Sequence, residues 1–404
     1  MNTEKVTFKN KDGDELSGYL ELPFNQDPHN FVLFAHCFTC NKNFFAPKNI
    51  SRTMAKNGYG VLRFDFTGLG QSDGEFSESN FSGNIQDLLA AAAYLEENHK
   101  APSLLIGHSL GGAAVLFAAK QLDSVKAITT IAAPSTTAHV QHLIQDNVDE
   151  IEKNGEANVD IGGREFTIKK QFLDDIDKHE LTSYLNNLKK ALLIMHSPQD
   201  EIVNIENAEE LYIAARHPKS FVSLDGAEHL LAGKEDAIYA ANVIASWASR
   251  YLEILKKEIP ETEADVVAGL EKDDSFTTSM KAGNHNFLAD EPTKAGGKNY
   301  GPNPYQFLSS GLAACTSMTL QMYAKRKKWP LENVETHVYY SREHYVDGEN
   351  CEEKNSKIDT FKREIKLYGA LEDKQKQRLL EIADRCPVHK SLTSETQITT
   401  KLIP

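Results

Sequence analysis

The chain of 404 residues contains few cysteines, only two tryptophans and no long apolar run. No segment is as long as a membrane span, which needs about 20 uninterrupted apolar residues. The first fifteen residues are too polar for a secretory signal. Five cysteines, an odd number, do not indicate a disulfide framework in a chain of this length. We therefore expect a protein without membrane segments that resides in the cytoplasm.

Basic side chains are fewer than acidic ones, and the deficit is uneven along the chain. Residues 1–260 carry 24 Lys and Arg against 36 Asp and Glu, whereas residues 261–404 carry 20 against 22. Nucleic-acid binding requires a basic face, so the acidic first part argues against a nucleic-acid partner. The basic run 325–328 is interpreted as the cationic end of a helix.

Short apolar strands alternate with helical segments through about residue 255. The predicted strands are Val32–Ala35, Gly60–Arg63, Ser103–Ile106, Ala127–Ile131, Ala191–Met195 and Ser220–Leu224. Their near-continuous apolar character favours a parallel sheet covered on both faces. A polar, mostly helical insertion at about 134–190, which includes Phe166–Ile176, is interpreted as a cap over the active edge of this sheet. The pattern predicts an α/β domain over 1–257 that ends in a helix reaching Lys257, followed by a linker at 258–263.

A different pattern begins at residue 264, where strand-like pieces surround one long helical stretch from Pro304 to about Lys327. The predicted strands are Asp265–Leu270, Phe276–Lys281, His285–Ala289, Val334–Tyr340, Phe361–Tyr368 and Thr396–Ile403. Further helices are predicted at about Asp373–Asp384 and from Cys386-Pro387 onward. Strands grouped around helices predict an α+β domain over 264–404.

The segment Gly107-His108-Ser109-Leu110-Gly111 joins an apolar strand to a helix of small residues. A strand-to-helix corner this tight leaves no room for side chains at the two glycines, so it raises the Ser109 hydroxyl above the sheet. Ser109 is therefore the predicted nucleophile.

A serine hydroxyl needs a base to take its proton, and the base needs an acid to orient it. His229 follows the last predicted strand of the sheet, and Asp200 follows the strand before it. These positions predict His229 as the base and Asp200 as the orienting acid. Other polar residues near strand ends are weaker alternatives: Asp225 and Glu228 as the acid, and His36, His108 and His196 as the base.

Acyl transfer also requires two backbone donors for the developing oxyanion. The amides of Leu110 and Phe38 are predicted to supply them, because Leu110 follows the nucleophile and Phe38 lies in the loop after an early strand. Cys37 and Cys40 form a CxxC pair in the same loop, and a redox role for that pair stays an alternative.

Together these residues resemble the α/β-hydrolase superfamily, and the HxFTxN segment at 36–41 is similar to that of the feruloyl and cinnamoyl esterase type. That type usually has glycine at the second position, where this chain has Cys37. The resemblance implies a serine esterase that acts on a small or medium acyl ester, with no cofactor and no metal. Acyl transfer to an acceptor other than water, through the same triad, stays open.

Four short motifs mark the second part of the chain. They are Ala289-Asp290-Glu291-Pro292, the GPxP segment at 301–304, the cysteine of Ala313-Ala314-Cys315, and Cys386-Pro387-Val388-His389. Pro387 suits a first helical position, so the Cys386 sulfur is predicted at a helix N-terminus, where the helix dipole favours a thiolate. Cys351 belongs to no motif, and no role is assigned to it.

These motifs resemble the OsmC/Ohr family of hydroperoxide reductases over most of 262–404. The resemblance implies that Cys315 attacks an organic hydroperoxide, that Cys386 then forms a disulfide with it, and that a dithiol reductant and a homodimer through this domain are involved. The family commonly has a glutamate just after the proline that enters the helix, where it organises an arginine. This chain has Tyr305 and Gln306 there, and residues 265–289 contain no arginine. A non-catalytic dimerisation or ligand-binding module is therefore the alternative.

Overall fold

The computed structural model describes residues 2–136, 144–161, 164–176, 181–254, 260–344 and 357–402. The chain divides into two compact units, Met1–Lys256 and Lys257–Pro404. Residues 258 and 259 of the predicted linker lie outside the described residues, and the predicted domain limits stay a prediction. Each unit is described by itself.

An eight-stranded sheet forms the centre of the first unit, with strand order β1-β2-β4-β3-β5-β6-β9-β10. The strands of this unit are β1 (Asn2–Lys9), β2 (Glu15–Leu22), β3 (Asn30–Ala35), β4 (Tyr59–Phe64), β5 (Leu104–His108), β6 (Ala127–Ile131), β7 (Glu156–Asp160), β8 (Glu165–Lys169), β9 (Ala191–His196) and β10 (Lys219–Ser223). Strands β3 to β6, β9 and β10 run parallel, whereas β1 and β2 are antiparallel additions at one edge. All residues of β4, β5, β6 and β9 are buried, as a parallel sheet covered on both faces requires.

Strands β1 and β2 are absent from the sequence-based prediction. In β1 the buried residues Val6 and Phe8 alternate with exposed ones, which is typical of a strand with one face in solvent. Strand β2 is buried along most of its length although it contains polar residues such as Ser17 and Glu21. Neither strand is the continuous apolar run on which the other strands of this sheet were predicted.

Helices cover both faces of the sheet. In chain order they are α1 (Phe45–Lys56), α2 (Phe81–Asn98), α3 (Leu110–Ala119), α4 (Val148–Asn154), α5 (Lys170–Ile176), α6 (Leu181–Leu185), α7 (Glu206–Ala214) and α8 (Lys234–Ala248). Ile50 of α1 and Ile244 of α8 belong to the core on one face, and Leu88 of α2 and Val115 of α3 belong to the core on the other.

The prediction that the last helix of this unit extends to Lys257 is wrong over residues 251–254. Helix α8 ends at Ala248, and the Ser249 hydroxyl donates to the Ser246 carbonyl, which occupies a helical acceptor. The chain then turns, with the Tyr251 amide bonded to the carbonyl of Ala248. Residues 255–257 lie outside the described residues.

The insertion between β6 and β9 holds α4, α5 and α6 together with an antiparallel hairpin of β7 and β8. The sequence predicted a mostly helical segment, and the hairpin was not predicted. Part of the predicted Phe166–Ile176 stretch is therefore strand, and the rest is α5. Residues 137–143, 162–163 and 177–180 of the insertion lie outside the described residues.

The second unit contains two small sheets and a long helix. Its elements are β11 (Val266–Gly269), β12 (Thr278–Ala282), β13 (His285–Ala289), α9 (Pro304–Lys327), β14 (Asn333–His344), β15 (Lys357–Tyr368), α10 (Asp373–Ala383) and α11 (Pro387–Thr393). β11, β12 and β13 form one antiparallel sheet, and β14 pairs with β15. Helix α9 starts with a capping box of Asn303 and Gln306, and its buried stripe of Leu312, Thr316, Leu320 and Ala324 recurs every four residues.

The strand predicted at Thr396–Ile403 is wrong over the part that the structure describes, residues 396–402. An extended segment becomes a strand only when its backbone groups pair with a neighbour. Among the described residues, this segment belongs to none of the sheets. Across all residues that the structure describes, no helix has an apolar stretch long enough to traverse a bilayer.

Candidate active sites in the two units

Ser109 lies at the corner between β5 and α3 with a backbone φ of +54°, a region that non-glycine residues seldom adopt. A Cβ atom on Gly111 would lie 2.4 Å from the carbonyl oxygen of His36, and one on Gly107 would lie 2.3 Å from that of Gly111. Both positions therefore require glycine. Strained backbone of this kind clusters at functional sites, and here it holds the serine at the tip of the turn.

Ser109, His229 and Asp200 form one chain of hydrogen bonds. His229 Nε2 lies 3.1 Å from Ser109 Oγ, and His229 Nδ1 lies 2.7 Å from Asp200 Oδ2. An ionised carboxylate can only accept, so Nδ1 carries the hydrogen and Nε2 is free to accept the serine proton. Burial acts to raise the pKa of Asp200, but hydrogen bonds from His229 and from the amides of Val203 and Ile202 outweigh it and hold this pKa below its usual value.

The structure does not bring the alternative acids to His229. Asp225 and Glu228 are exposed, and Asp225 Oδ1 accepts instead from the hydroxyl of Ser223. Asp200 is the carboxylate that reaches the ring, across 29 residues of sequence.

Phe38 and Leu110 line one small cavity of about 10 Å³ between the loop after β3 and the start of α3. Within the described part of the chain, the structure records no hydrogen bond from either amide. Both donors are therefore available to an oxygen atom of a ligand.

Residues 36–42, called the oxyanion loop below, are fixed at several points. Cys37 and Cys40 are joined by a disulfide, a pairing that the sequence raised only as a redox alternative. At the end of the loop, the fully buried Lys42 donates to Asp65 through both its amide and its ammonium group. Asp65 is itself only 1% exposed, so it stabilises the loop.

The insertion contacts the oxyanion loop directly. The ring of Phe172 stacks on that of Phe38 with centroids 5.3 Å apart, and Arg164 Nη2 donates to the carbonyl of Thr39. The guanidinium of Arg164 also lies over the ring of Phe44. The position of the oxyanion loop therefore depends on the insertion as well as on the sheet.

His108, a weaker alternative for the base in the sequence analysis, lies buried beside this site. His108 is 1% exposed, and its Nε2 donates to the carbonyl of His229 over 2.7 Å. Burial, with a smaller contribution from His229, lowers the pKa of His108 from 6.5 to about 3. The ring is therefore neutral at ordinary pH.

We expect this histidine to make the first unit acid-labile. Between pH 6.5 and about 3 the unfolded chain binds a proton at His108 that the folded chain does not. The free energy of unfolding should then fall as the pH decreases, by about 1.4 kcal/mol per pH unit from this group alone. Urea titrations at pH 7 and pH 5 should show a loss about 2 kcal/mol smaller in His108→Gln than in the wild type. An equal loss in both proteins would contradict the neutral state of this ring.

Among the described residues of the second unit, Cys315 and Cys386 are free cysteines. Cys315 lies half-buried in the middle of α9, and Cys386 is fully buried at the residue before α11. The Cys386 sulfur accepts from the amide of His389 at 3.3 Å and lies 3.7 Å from the Thr316 hydroxyl. Thr316, which follows Cys315 on α9, thus contacts Cys386.

An arginine contacts Thr316, the residue that follows Cys315. Arg363 of β15 donates from Nη1 to the hydroxyl of Thr316 at 2.8 Å and from Nη2 to Asp384 at 2.7 Å. The family resemblance implied an arginine within residues 265–289, so Arg363 was not predicted. Long-range pairing of β15 with β14 brings it to α9, and no local pattern shows this. Tyr305 and Gln306 serve other contacts, since Tyr305 stacks on Tyr340 and Gln306 closes the capping box.

Comparisons with known proteins find two family matches. Residues 26–148 match the family described as serine aminopeptidase, S33, and residues 296–401 match the OsmC-like proteins. Among solved structures, the esterase domain of a Rhodothermus marinus protein is 48% identical. That match covers 62% of this chain and 99% of the esterase domain, with a TM-score of 0.52.

Proteins of lower identity match between 43% and 61% of this chain. Est1E from Butyrivibrio proteoclasticus, solved with ferulic acid, is 21% identical, covers 61% of this chain and 99% of its own, and has a TM-score of 0.51, which shows likeness of fold alone. The mitochondrial palmitoyl-protein thioesterase ABHD10 of mouse is 26% identical over 178 residues, 43% of this chain and 59% of the thioesterase. The uncharacterised protein YfhR of Escherichia coli O157:H7 is 23% identical over 234 residues, 57% of this chain and 74% of YfhR.

Proposed function

Because the chain belongs to the α/β-hydrolase family over its first unit and carries an OsmC-like domain in its second, we propose that it is a serine carboxylesterase joined to a thiol-dependent hydroperoxide reductase. The observation that carries the esterase is the hydrogen-bonded chain of Ser109, His229 and Asp200. A base in this tautomer next to a serine raised on a strained turn is the arrangement that acyl transfer needs.

The proposed reaction proceeds through an acyl-enzyme. Ser109 Oγ attacks the carbonyl carbon of the ester while His229 Nε2 takes its proton, and Asp200 stabilises the imidazolium. The negative oxygen accepts hydrogen bonds from the amides of Phe38 and Leu110. The bond to the alcohol oxygen then breaks, and His229 returns the proton to it. Water, activated by the same base, releases the acid and restores Ser109.

Thioesters are a second substrate class for the same site, favoured by the likeness to the mouse palmitoyl-protein thioesterase. The chemistry at the carbonyl is unchanged, and only the leaving group differs. Matched oxygen esters and thioesters of one acyl group would rank the two classes by kcat/KM. Added alcohols or thiols would reveal acyl transfer as a changed product.

The proposed second activity reduces organic hydroperoxides. The Cys315 thiolate attacks the terminal oxygen of the peroxide, the O–O bond breaks, and the alcohol leaves with a proton while Cys315 becomes a sulfenic acid. Cys386 then attacks that sulfur, releasing water and forming a disulfide, which an external dithiol reduces. Arg363 donates to Thr316, which follows Cys315 on α9, and to Asp384, so it supplies a positive charge close to the proposed reaction.

A homodimer through the second unit is part of this proposal. Along α9 the stripe of Leu312 and Leu320 is buried, but Met318 and Met322 are 65% and 72% exposed. A helix of 24 residues that buries one stripe and exposes methionines on another is suited to a second copy on the open side. Analytical ultracentrifugation of the wild type would test it.

Covalent labelling tests the esterase assignment. A fluorophosphonate reacts with a serine only when a neighbouring base activates it, so we expect one phosphonyl adduct, on Ser109, in peptide mass spectra of the wild type. His229→Gln should remove the adduct, whereas the matched variant His285→Gln, exposed on β13, should retain it. An adduct on another serine, or full labelling of His229→Gln, would overturn the proposed triad.

A further inference from the structure

Three buried histidines lie at the carboxyl ends of parallel strands in the first unit. His36 directly follows β3, His108 ends β5 and His196 ends β9, and none is more than 1% exposed. Each ring hydrogen-bonds to a backbone carbonyl. His36 Nδ1 bonds to Cys37 at 2.8 Å, His108 Nε2 to His229 at 2.7 Å, and His196 Nε2 to Val203 at 2.7 Å.

These three carbonyls belong to the three loops that carry the proposed site. Cys37 lies in the oxyanion loop, next to Phe38. Val203 closes the turn whose amides hold Asp200 Oδ1 at 2.9 Å. The third carbonyl is that of the base itself, His229. The loops of His229 and Asp200 are thus bonded to rings at the ends of β5 and β9, and the Cys37 carbonyl is bonded to the ring of the residue that directly follows β3.

The hydrogen bonds place a hydrogen on one nitrogen of each ring. A carbonyl oxygen can only accept, so the bonded nitrogen must carry a hydrogen, and this selects one tautomer. Within the described residues, the second nitrogens of His36 and His108 have no hydrogen-bond partner. A second proton on either ring would place an uncompensated charge in the interior, and burial accordingly lowers the pKa of both.

His108 holds a special place because it precedes the nucleophile in sequence. Its backbone continues into Ser109, and its side chain holds the main chain of His229. The two imidazole rings lie 5.4 Å apart. One residue therefore connects both partners of the 3.1 Å serine–histidine contact.

We propose that His108 is a positioning residue that sets the distance between the nucleophile and the base, and that His36 and His196 anchor the oxyanion loop and the acid loop in the same way. This inference rests on the proposed esterase function. It assigns no proton transfer to the ring of His108, which remains in one neutral tautomer during the reaction.

Variants of His108 that separate hydrogen-bond donation from side-chain packing test the inference. Glutamine at 108 keeps an N–H donor of similar reach, whereas leucine keeps apolar bulk without a donor. We expect His108→Gln to retain kcat within about threefold and His108→Leu to lose about 100-fold in kcat with KM nearly unchanged, as a misplaced base would. The rate of fluorophosphonate labelling at Ser109 should fall in parallel with kcat. If His108 were needed only for packing, His108→Leu would lower stability without lowering kcat at a nearly constant KM.

Two outcomes would overturn the inference. One is a folded His108→Leu with wild-type kcat, and the other is a folded His108→Gln as impaired as His108→Leu. In either case, continued hydrolysis and Ser109 labelling by the wild type would leave the esterase proposal standing. If Ser109 of the wild type were not labelled at all, both the esterase proposal and the inference about His108 would be overturned.

A measurement on the wild type covers the case in which His108→Leu does not fold. Nitrogen-15 shifts of selectively labelled histidines report the tautomer of each ring. For His108 we expect the neutral form with hydrogen on Nε2 throughout pH 5 to 8. An imidazolium, or hydrogen on Nδ1, would rule out donation to the His229 carbonyl and with it the proposal.

Discussion

Replacing Ser109 with alanine is expected to abolish ester hydrolysis, with kcat reduced by about 10⁵- to 10⁶-fold. The variant has no nucleophile, and the base at 3.1 Å loses the proton that it would accept. Donors at Phe38 and Leu110 would leave only residual catalysis of direct attack by water. Hydrolysis of a p-nitrophenyl ester of a short acyl chain measures the effect.

A second buried serine provides the control for this prediction. Ser51 lies in α1, fully buried and without a hydrogen-bond partner for its hydroxyl in the described residues. Ser51→Ala should therefore retain the wild-type rate, and both variants should keep the thermal midpoint within a few degrees. Hydroperoxide consumption by Ser109→Ala should equal that of the wild type. Substantial ester hydrolysis by folded Ser109→Ala would remove this serine from the mechanism.

Replacing Cys315 with serine is expected to eliminate turnover of cumene hydroperoxide by the reduced protein in the presence of a dithiol. A serine hydroxyl at that position is not ionised and cannot displace the alkoxide of the peroxide as a thiolate does. The rate should drop to that of the buffer with dithiol alone. Ester hydrolysis should persist, because the triad belongs to the other unit.

Two further cysteine variants sharpen this experiment. Cys351→Ser makes the same chemical change at a cysteine without an assigned role and should consume the peroxide like the wild type. Cys386→Ser should react once and then stop, with Cys315 held as a sulfenic acid that dimedone traps. If the wild type itself consumes no peroxide while it hydrolyses esters, the second unit is a dimerisation or ligand-binding module.

Local patterns in the sequence determined much of the fold of this protein. The strand runs, the glycine corner at Ser109 and the proline start of α9 each depend on residues within a few positions of one another. The α/β-hydrolase fold of the first unit and the OsmC-like second part were expected from resemblances carried by short motifs. The family matches confirm both, and the esterase structure confirms the first. The strand prediction at Thr396–Ile403 was wrong because a strand needs a paired neighbour, which no local pattern shows.

The tertiary structure brings together side chains that are far apart in the sequence. Asp200 reaches His229 across 29 residues, His229 reaches Ser109 across 120, and Arg363 reaches Thr316 across 47. Chain order predicts the partners of the triad, because parallel strands end at one edge of a sheet. It does not show that buried rings such as His108 hold the loops by their carbonyls. Backbone carbonyls are the same at every residue, so only the folded chain selects which of them a side chain will bond.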